Sequence, residues 1–229
     1  MSAPWVAYLV VGLALSMIMG IGIGLLSLAR KTAEVEVSKH CTSKDDLSYS
    51  SHERYAPGIR AELRASHAGE TGAVWIYRGI LLVNRLRRDP DIQQFAQHHL
   101  ATEKAHLVHF ENIIERYRGS LLLFIWMFAG FAIGVLSAVM GKNWVYYSIY
   151  KIESFVDMHY KQQIKFLSER EFYCKAEIIT MMESCNADEQ EHRDEAFSML
   201  SGKPTFAMRI WGNLISSGSS SAVKIAKLI

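Results

Sequence analysis

The sequence predicts an all-α fold: a four-helix bundle with an N-terminal transmembrane helix and further apolar helices at a membrane interface. Three observations predict it. Apolar residues recur at three- and four-residue steps over long stretches. Only 4 prolines and 15 glycines interrupt 229 residues. The spacing Glu-x-x-His occurs twice, at Glu103–His106 and Glu189–His192. Residues three apart on a helix share a face, so each pair can hold one side of a metal ion.

Composition narrows the class. The net charge of +2, from 25 basic and 23 acidic residues, gives no argument for a nucleic-acid partner. Half of the residues are apolar, high for a soluble enzyme. The three cysteines, Cys41, Cys174 and Cys185, show no C-x-x-C spacing, so neither a zinc site nor a disulfide framework is indicated.

The N-terminal 31 residues read as a retained membrane anchor. Residues 1–29 carry no charge, and Arg30-Lys31 follow them. The apolar run is long enough to cross a bilayer as a helix. A cleaved leader would carry its positive charge before that run. The positive-inside rule puts the rest of the chain on the cytoplasmic side. Residues 32–57 are polar and read as a linker.

Residues 58–204 read as the bundle. Its first helix runs from Ile59 to Leu86 and carries Glu70 among small residues, in His67-Ala68-Gly69-Glu70-Thr71-Gly72-Ala73. Helical glycines cost about 1 kcal/mol each relative to alanine, which close helix approach around a buried group would justify. Asp89-Pro90-Asp91 breaks the chain and starts the second helix, Ile92 to Tyr117, with Glu103 and His106. Residues 119–141 contain no charge and form an apolar crossover. Their length also permits a second membrane span, which would put the two Glu-x-x-His pairs on opposite sides of the bilayer. The third helix, Trp144 to Ser168, carries Glu153, and the fourth, Phe172 to Leu200, carries Glu189 and His192. Residues 205–229 read as a cationic amphipathic tail lying on the membrane.

With nine histidines in the chain, one Glu-x-x-His spacing is unremarkable. The order of the acids is more telling. Ferritin-like di-iron bundles combine two such pairs with one Glu from each of two further helices. Here the order is Glu70, Glu103-x-x-His106, Glu153, Glu189-x-x-His192, so each half of the chain contributes a Glu and then a pair. Carboxylate and imidazole ligands suit iron, and two iron ions are the expected cofactor. Ligating imidazoles usually donate their second N–H to a carboxylate; Asp188 and Asp194 are the candidates.

At these residues the chain resembles the demethoxyubiquinone hydroxylase family of ubiquinone biosynthesis. The matching words are His67-Ala68-Gly69-Glu70 through Tyr77-Arg78-Gly79, Glu103-Lys104-x-His106-Leu107, Glu153 with His159-Tyr160, and Asp188-Glu189-x-Glu191-His192-x-Asp194. The resemblance implies a ferritin-like, membrane-associated di-iron monooxygenase with O2 as co-substrate. It places the family's metal ligands on Glu70, Glu103, His106, Glu153, Glu189 and His192. It places a His-Tyr pair with a role in electron transfer or quinone contact on His159 and Tyr160. The implied substrate is a polyprenyl quinone. The implied partners are membrane lipid, other ubiquinone-biosynthesis proteins and further copies of the chain. The expected location is a bacterial inner membrane. The N-terminal spanning helix departs from the family's usual pattern. A membrane di-iron quinol oxidase, reducing O2 to water, is the alternative with the same ligands. A non-catalytic scaffold or iron store is the third reading.

Overall fold

The structure is a computed structural model and describes residues 56–114 and 119–229. The predicted anchor and nearly all of the predicted linker lie outside the described residues. The described residues form six helices and no strand: α1 (Pro57–Arg87), α2 (Pro90–Ile114), α3 (Leu123–Met140), α4 (Lys142–Ser168), α5 (Lys175–Ser198) and α6 (Phe206–Leu228).

Local chemistry sets the boundaries. Pro57 sits in the first turn of α1, where its missing N–H costs nothing. Arg88 turns left-handed (φ 56°) and ends that helix. The next residue, Asp89, accepts from the backbone N–H groups of Asp91 and Ile92 and caps α2. The two-residue turn folds α1 and α2 into one antiparallel hairpin. Helices α4 and α5 form the second hairpin, and the two hairpins bury a shared core of Tyr77, Ile80, Phe95, Tyr146, Ile149 and Ala196.

Helix α3 carries the chain from one hairpin to the other, lying along α1. Among the described residues it is the one helix long and apolar enough to cross a membrane, with mean hydropathy 2.2 over Leu123–Met140. The packing is backbone against backbone. A Cβ on Gly130 would meet Gly72, and a Cβ on Gly134 would meet the Ile76 carbonyl. A Cβ on Gly79 would fall 2.5 Å from the Phe131 carbonyl oxygen and 2.9 Å from the Val135 nitrogen. A Cβ on Gly72 would meet only the Trp126 carbonyl oxygen, at an ordinary 3.8 Å, so close approach explains Gly79 and not Gly72. It does not explain Gly69, where an added Cβ meets nothing within 4 Å.

These two glycines should respond oppositely. Gly79→Ala forces α1 and α3 apart and is expected to destabilise the fold by about 1–3 kcal/mol. Gly69→Ala restricts the unfolded chain without a clash and is expected to stabilise it by about 0.4–1 kcal/mol. Denaturant titration followed by circular dichroism measures both.

The tail is one continuous helix, capped by the Thr205 hydroxyl, which accepts from the Met208 N–H. The weak helix formers Ser216 to Ser221 do not interrupt it. Packing decides this: α6 lies on α1 and α4, and its end is fixed by Arg64, which donates to the carbonyls of Ala226 and Lys227. Lys227 pairs in turn with Glu62 at 2.7 Å. Ile215 and Ala226 are buried, whereas Phe206, Ile210, Leu214 and Leu228 are exposed.

Candidate metal centre

The structure brings all six sequence-predicted metal residues together in the middle of the bundle. Glu70 comes from α1, Glu103 and His106 from α2, Glu153 from α4, and Glu189 and His192 from α5. Each is at most 4 % exposed. They form two groups of potential ligands, Glu70/Glu103/His106/Glu189 and Glu103/Glu153/Glu189/His192, with the ligand atoms of each group within 4.8 Å of one another. Glu103 and Glu189 belong to both groups. His106 Nδ1 is 3.1 Å from Glu189 and 3.6 Å from Glu70. His192 Nδ1 is 3.3 Å from Glu103 and 3.4 Å from Glu189.

The electrostatics are those of a site built for cations. Both carboxylate oxygens of Glu103, one each of Glu70 and Glu189, and Nδ1 of His192 are buried without a hydrogen-bond partner. Buried charge without compensation is costly. The metal-free protein offsets the cost with protons. Burial and the Glu189 charge push the Glu103 carboxyl up to about 8. Burial, and then the charges of Glu189 and Glu103, hold Glu153 well above the usual carboxylate range. Burial opposes ionisation of Glu189 too, but the hydrogen bond with His106 and the nearby His192 imidazole outweigh it and bring Glu189 to about 2. For His192, burial is outweighed by Glu103 and Glu189, which raise it to about 10. Two divalent ions held by these residues would supply the positive charge that these protons now supply. The nitrogen and oxygen donors, with no thiolate in either group, fit iron.

A pH dependence follows. Below pH of about 8 a proton on Glu103 competes with metal, and burial holds a competing proton on Glu153 as well. Raising the pH removes the competitor. The apparent affinity of the metal-free protein is expected to rise with pH by up to about tenfold per unit for each displaced proton. Calorimetric titration in buffers of different ionisation enthalpy counts the protons released.

The ligand groups account for the core of the bundle; comparison with known proteins places the chain. The model of the family described as ubiquinone biosynthesis protein COQ7 matches residues 58–226. The chain belongs to the COQ7 family. It is 37% identical over 163 residues to the 3-demethoxyubiquinol 3-hydroxylase of Rhodospirillum rubrum, covering 65% of this chain and 74% of that protein. It is 30% identical over 168 residues to the mitochondrial NADPH-dependent 3-demethoxyubiquinone 3-hydroxylase of Rattus norvegicus, covering 72% and 75%. The match with the similarly named human protein is 32% over 135 residues, covering 58% and 60%.

In this COQ7-family chain an apolar cavity of about 470 Å³ leads to the ligand groups. Helices α1, α3, α4 and α6 wall it, with Trp126 and Ile133 from α3 and Trp211 and Leu214 from α6. Glu70, Glu103, Glu153 and Glu189 form its inner end, and Gly69 lies on its wall, so the missing side chain there is open cavity. His159 and Tyr160 both line it. The Tyr160 hydroxyl donates to Glu70 at 2.5 Å. The His159 ring stacks on Phe155, its Nε2 is buried without a partner, and burial lowers its pKa to about 4, so the imidazole is neutral.

The outer contacts differ in part from the sequence reading. Asp188 lies 2.9 Å from His106 Nε2, so it serves the histidine of the neighbouring helix rather than its own. Asp194 does not reach a ligand. It is exposed and pairs with Arg193 at 2.8 Å, because two residues along a helix from His192 is the opposite face. Sequence reasoning missed Tyr77, His99 and Glu195. The Tyr77 hydroxyl lies 3.4 Å from Glu153 and 3.0 Å from His99 Nδ1. His99 stacks on His192 with centroids 4.0 Å apart, and its Nε2 is 2.7 Å from Glu195.

Proposed function

We propose that this chain is a ferritin-like di-iron monooxygenase that hydroxylates the ring of a polyprenyl demethoxyubiquinol. The observation that carries the reading is the apolar cavity closed at its inner end by four buried carboxylates. A cavity of this size and lining suits a ring with the start of an isoprenoid tail. Residues 58–204 form the di-iron bundle, with Glu70, Glu103, His106, Glu153, Glu189 and His192 as the ligands. The two iron ions supply, when bound, the activation of O2 that ring hydroxylation requires.

The remaining steps belong to the protein. The apolar walls exclude water and hold the ring against the inner carboxylates. His159, neutral and with a free Nε2 at the cavity wall, contacts a ring oxygen. Tyr160 holds Glu70 in position through the hydroxyl–carboxylate hydrogen bond, leaving the other oxygen of Glu70 for metal.

Membrane association follows from the same helices. Helix α3 presents Phe124, Ile125, Phe128, Leu136 and Val139 to the outside, and α6 presents Phe206, Ile210 and Leu214. Apolar surface on this scale marks a membrane or partner interface. With α3 and α6 lying in the bilayer interface, on the cytoplasmic face of a bacterial inner membrane, the cavity opens to the lipid that carries the substrate. Residues 1–31 strengthen the attachment as an anchor. A quinol oxidase would use the same ligands, but the hydroxylase names of the relatives favour hydroxylation.

The reading is tested in a strain lacking its own hydroxylase, which accumulates the demethoxy quinone. Expression of the chain is expected to restore ubiquinone by mass spectrometry of lipid extracts. Persistence of the demethoxy quinone beside well-expressed protein would contradict it.

A further inference from the structure

We propose that His99 is a positioning residue that holds one of the two metal positions and not the other. The inference rests on the metal reading above. The two ligand groups share Glu103 and Glu189 and differ in the rest. One position is completed by Glu70 and His106, the other by Glu153 and His192. What fixes these unshared ligands differs sharply between the two.

For the first position, Tyr160 donates to Glu70 at 2.5 Å, and Asp188 lies 2.9 Å from the outer nitrogen of His106. These are separate contacts from separate helices, and neither touches His99. For the second position, both unshared ligands lead back to one imidazole. His99 stacks on the His192 ring at 4.0 Å with 21° between planes. It also holds the Tyr77 hydroxyl at 3.0 Å, and that hydroxyl lies 3.4 Å from Glu153. No polar partner other than Glu103 and Glu189 reaches His192 among the described residues, so the stack does the work that Asp188 does for His106.

His99 is itself fixed from three sides. Tyr77 and Glu195 engage its two nitrogens, and the Phe95 ring packs on it at 4.1 Å. Its side chain is completely buried. It occupies one orientation, and passes that orientation to His192 directly and to Glu153 through Tyr77. Removing it frees the His192 ring to rotate and leaves Tyr77 without its second anchor. Loss of an outer contact of this kind typically weakens metal binding by about 10- to 100-fold. The loss should fall on one ion, because the first position keeps all of its contacts.

The test uses the full-length metal-free chain, titrated anaerobically with Mn(II) and followed by metal counting and electron paramagnetic resonance. The wild-type chain is expected to bind two ions with the spectrum of a coupled pair. His99→Leu should keep one ion at wild-type affinity, weaken the second about 10- to 100-fold, and show an isolated Mn(II) spectrum at one equivalent. Tyr77→Phe preserves the buried ring and carries the test if His99→Leu fails to fold; it should weaken the same single ion by a smaller factor. Asp188→Asn should weaken the other ion, so that the Asp188→Asn/Tyr77→Phe double variant is weakened at both. A parallel loss of both ions in Tyr77→Phe, or no loss in folded His99→Leu, overturns the proposal. A wild-type chain that binds no Mn(II) overturns the metal reading itself, and this inference with it.

Discussion

Replacing Glu189 by alanine is expected to remove both metal ions and abolish ring hydroxylation. Glu189 is the harshest place to cut because it belongs to both ligand groups and contacts both histidines, His106 at 3.1 Å and His192 at 3.4 Å. Its loss takes a carboxylate from each position and leaves Glu103 as the only shared one. Residues that act as one unit fail together, and activity should fall by roughly three orders of magnitude or more. The fold should survive. Deleting this carboxylate takes away the partner that His106 and His192 share, so the metal-free variant should be folded but less stable than metal-free wild type. Metal analysis, activity and denaturant titration on the same preparation separate the two effects. Two retained ions would exclude Glu189 as a ligand shared by both positions.

The second large effect concerns the cavity. Gly69→Trp is expected to lower kcat/KM for the polyprenyl substrate by about a hundredfold, roughly 2.7 kcal/mol, while leaving two ions bound. Gly69 sits beside Glu70 on the cavity wall, and a Cβ built there meets nothing within 4 Å. An indole carried on that Cβ would occupy the passage to the inner carboxylates. Gly69→Ala should retain most of the activity. Equal activity of the tryptophan and wild-type chains toward the lipid substrate would mean that substrate reaches the ions by another route.

These two residues also mark what was legible in the sequence. The six ligand candidates were legible because helical spacing is rigid: three residues place Glu and His on one face, and four helices supply the set in order. Tyr77 and His99 carried a weaker signal of the same kind. Tyr77 lies two turns after Glu70, and His99 two turns before His106, so each shares a face with a ligand. Neither belongs to a named spacing, and each acts across to another helix, which sequence distance does not reveal. Asp194 fails for the opposite reason, since its proximity to His192 along the chain is a half-turn of separation in space. Gly69 and Gly79 are both glycines inside one helix; only the packing separates the one that lets α3 approach from the one that leaves the cavity open. The apolar run 119–141 was ambiguous for hydropathy alone. The convergence of α1, α2, α4 and α5 resolves its relation to the site: α3 lies beside the bundle along α1 and does not part the two hairpins.

The most direct test of the account is a reaction of the iron-loaded full-length chain with a demethoxyubiquinol under ¹⁸O2, followed by mass spectrometry of the quinone. The account predicts a hydroxylated ring carrying one ¹⁸O atom. An oxidised but unhydroxylated quinone, with the label in water, would contradict it.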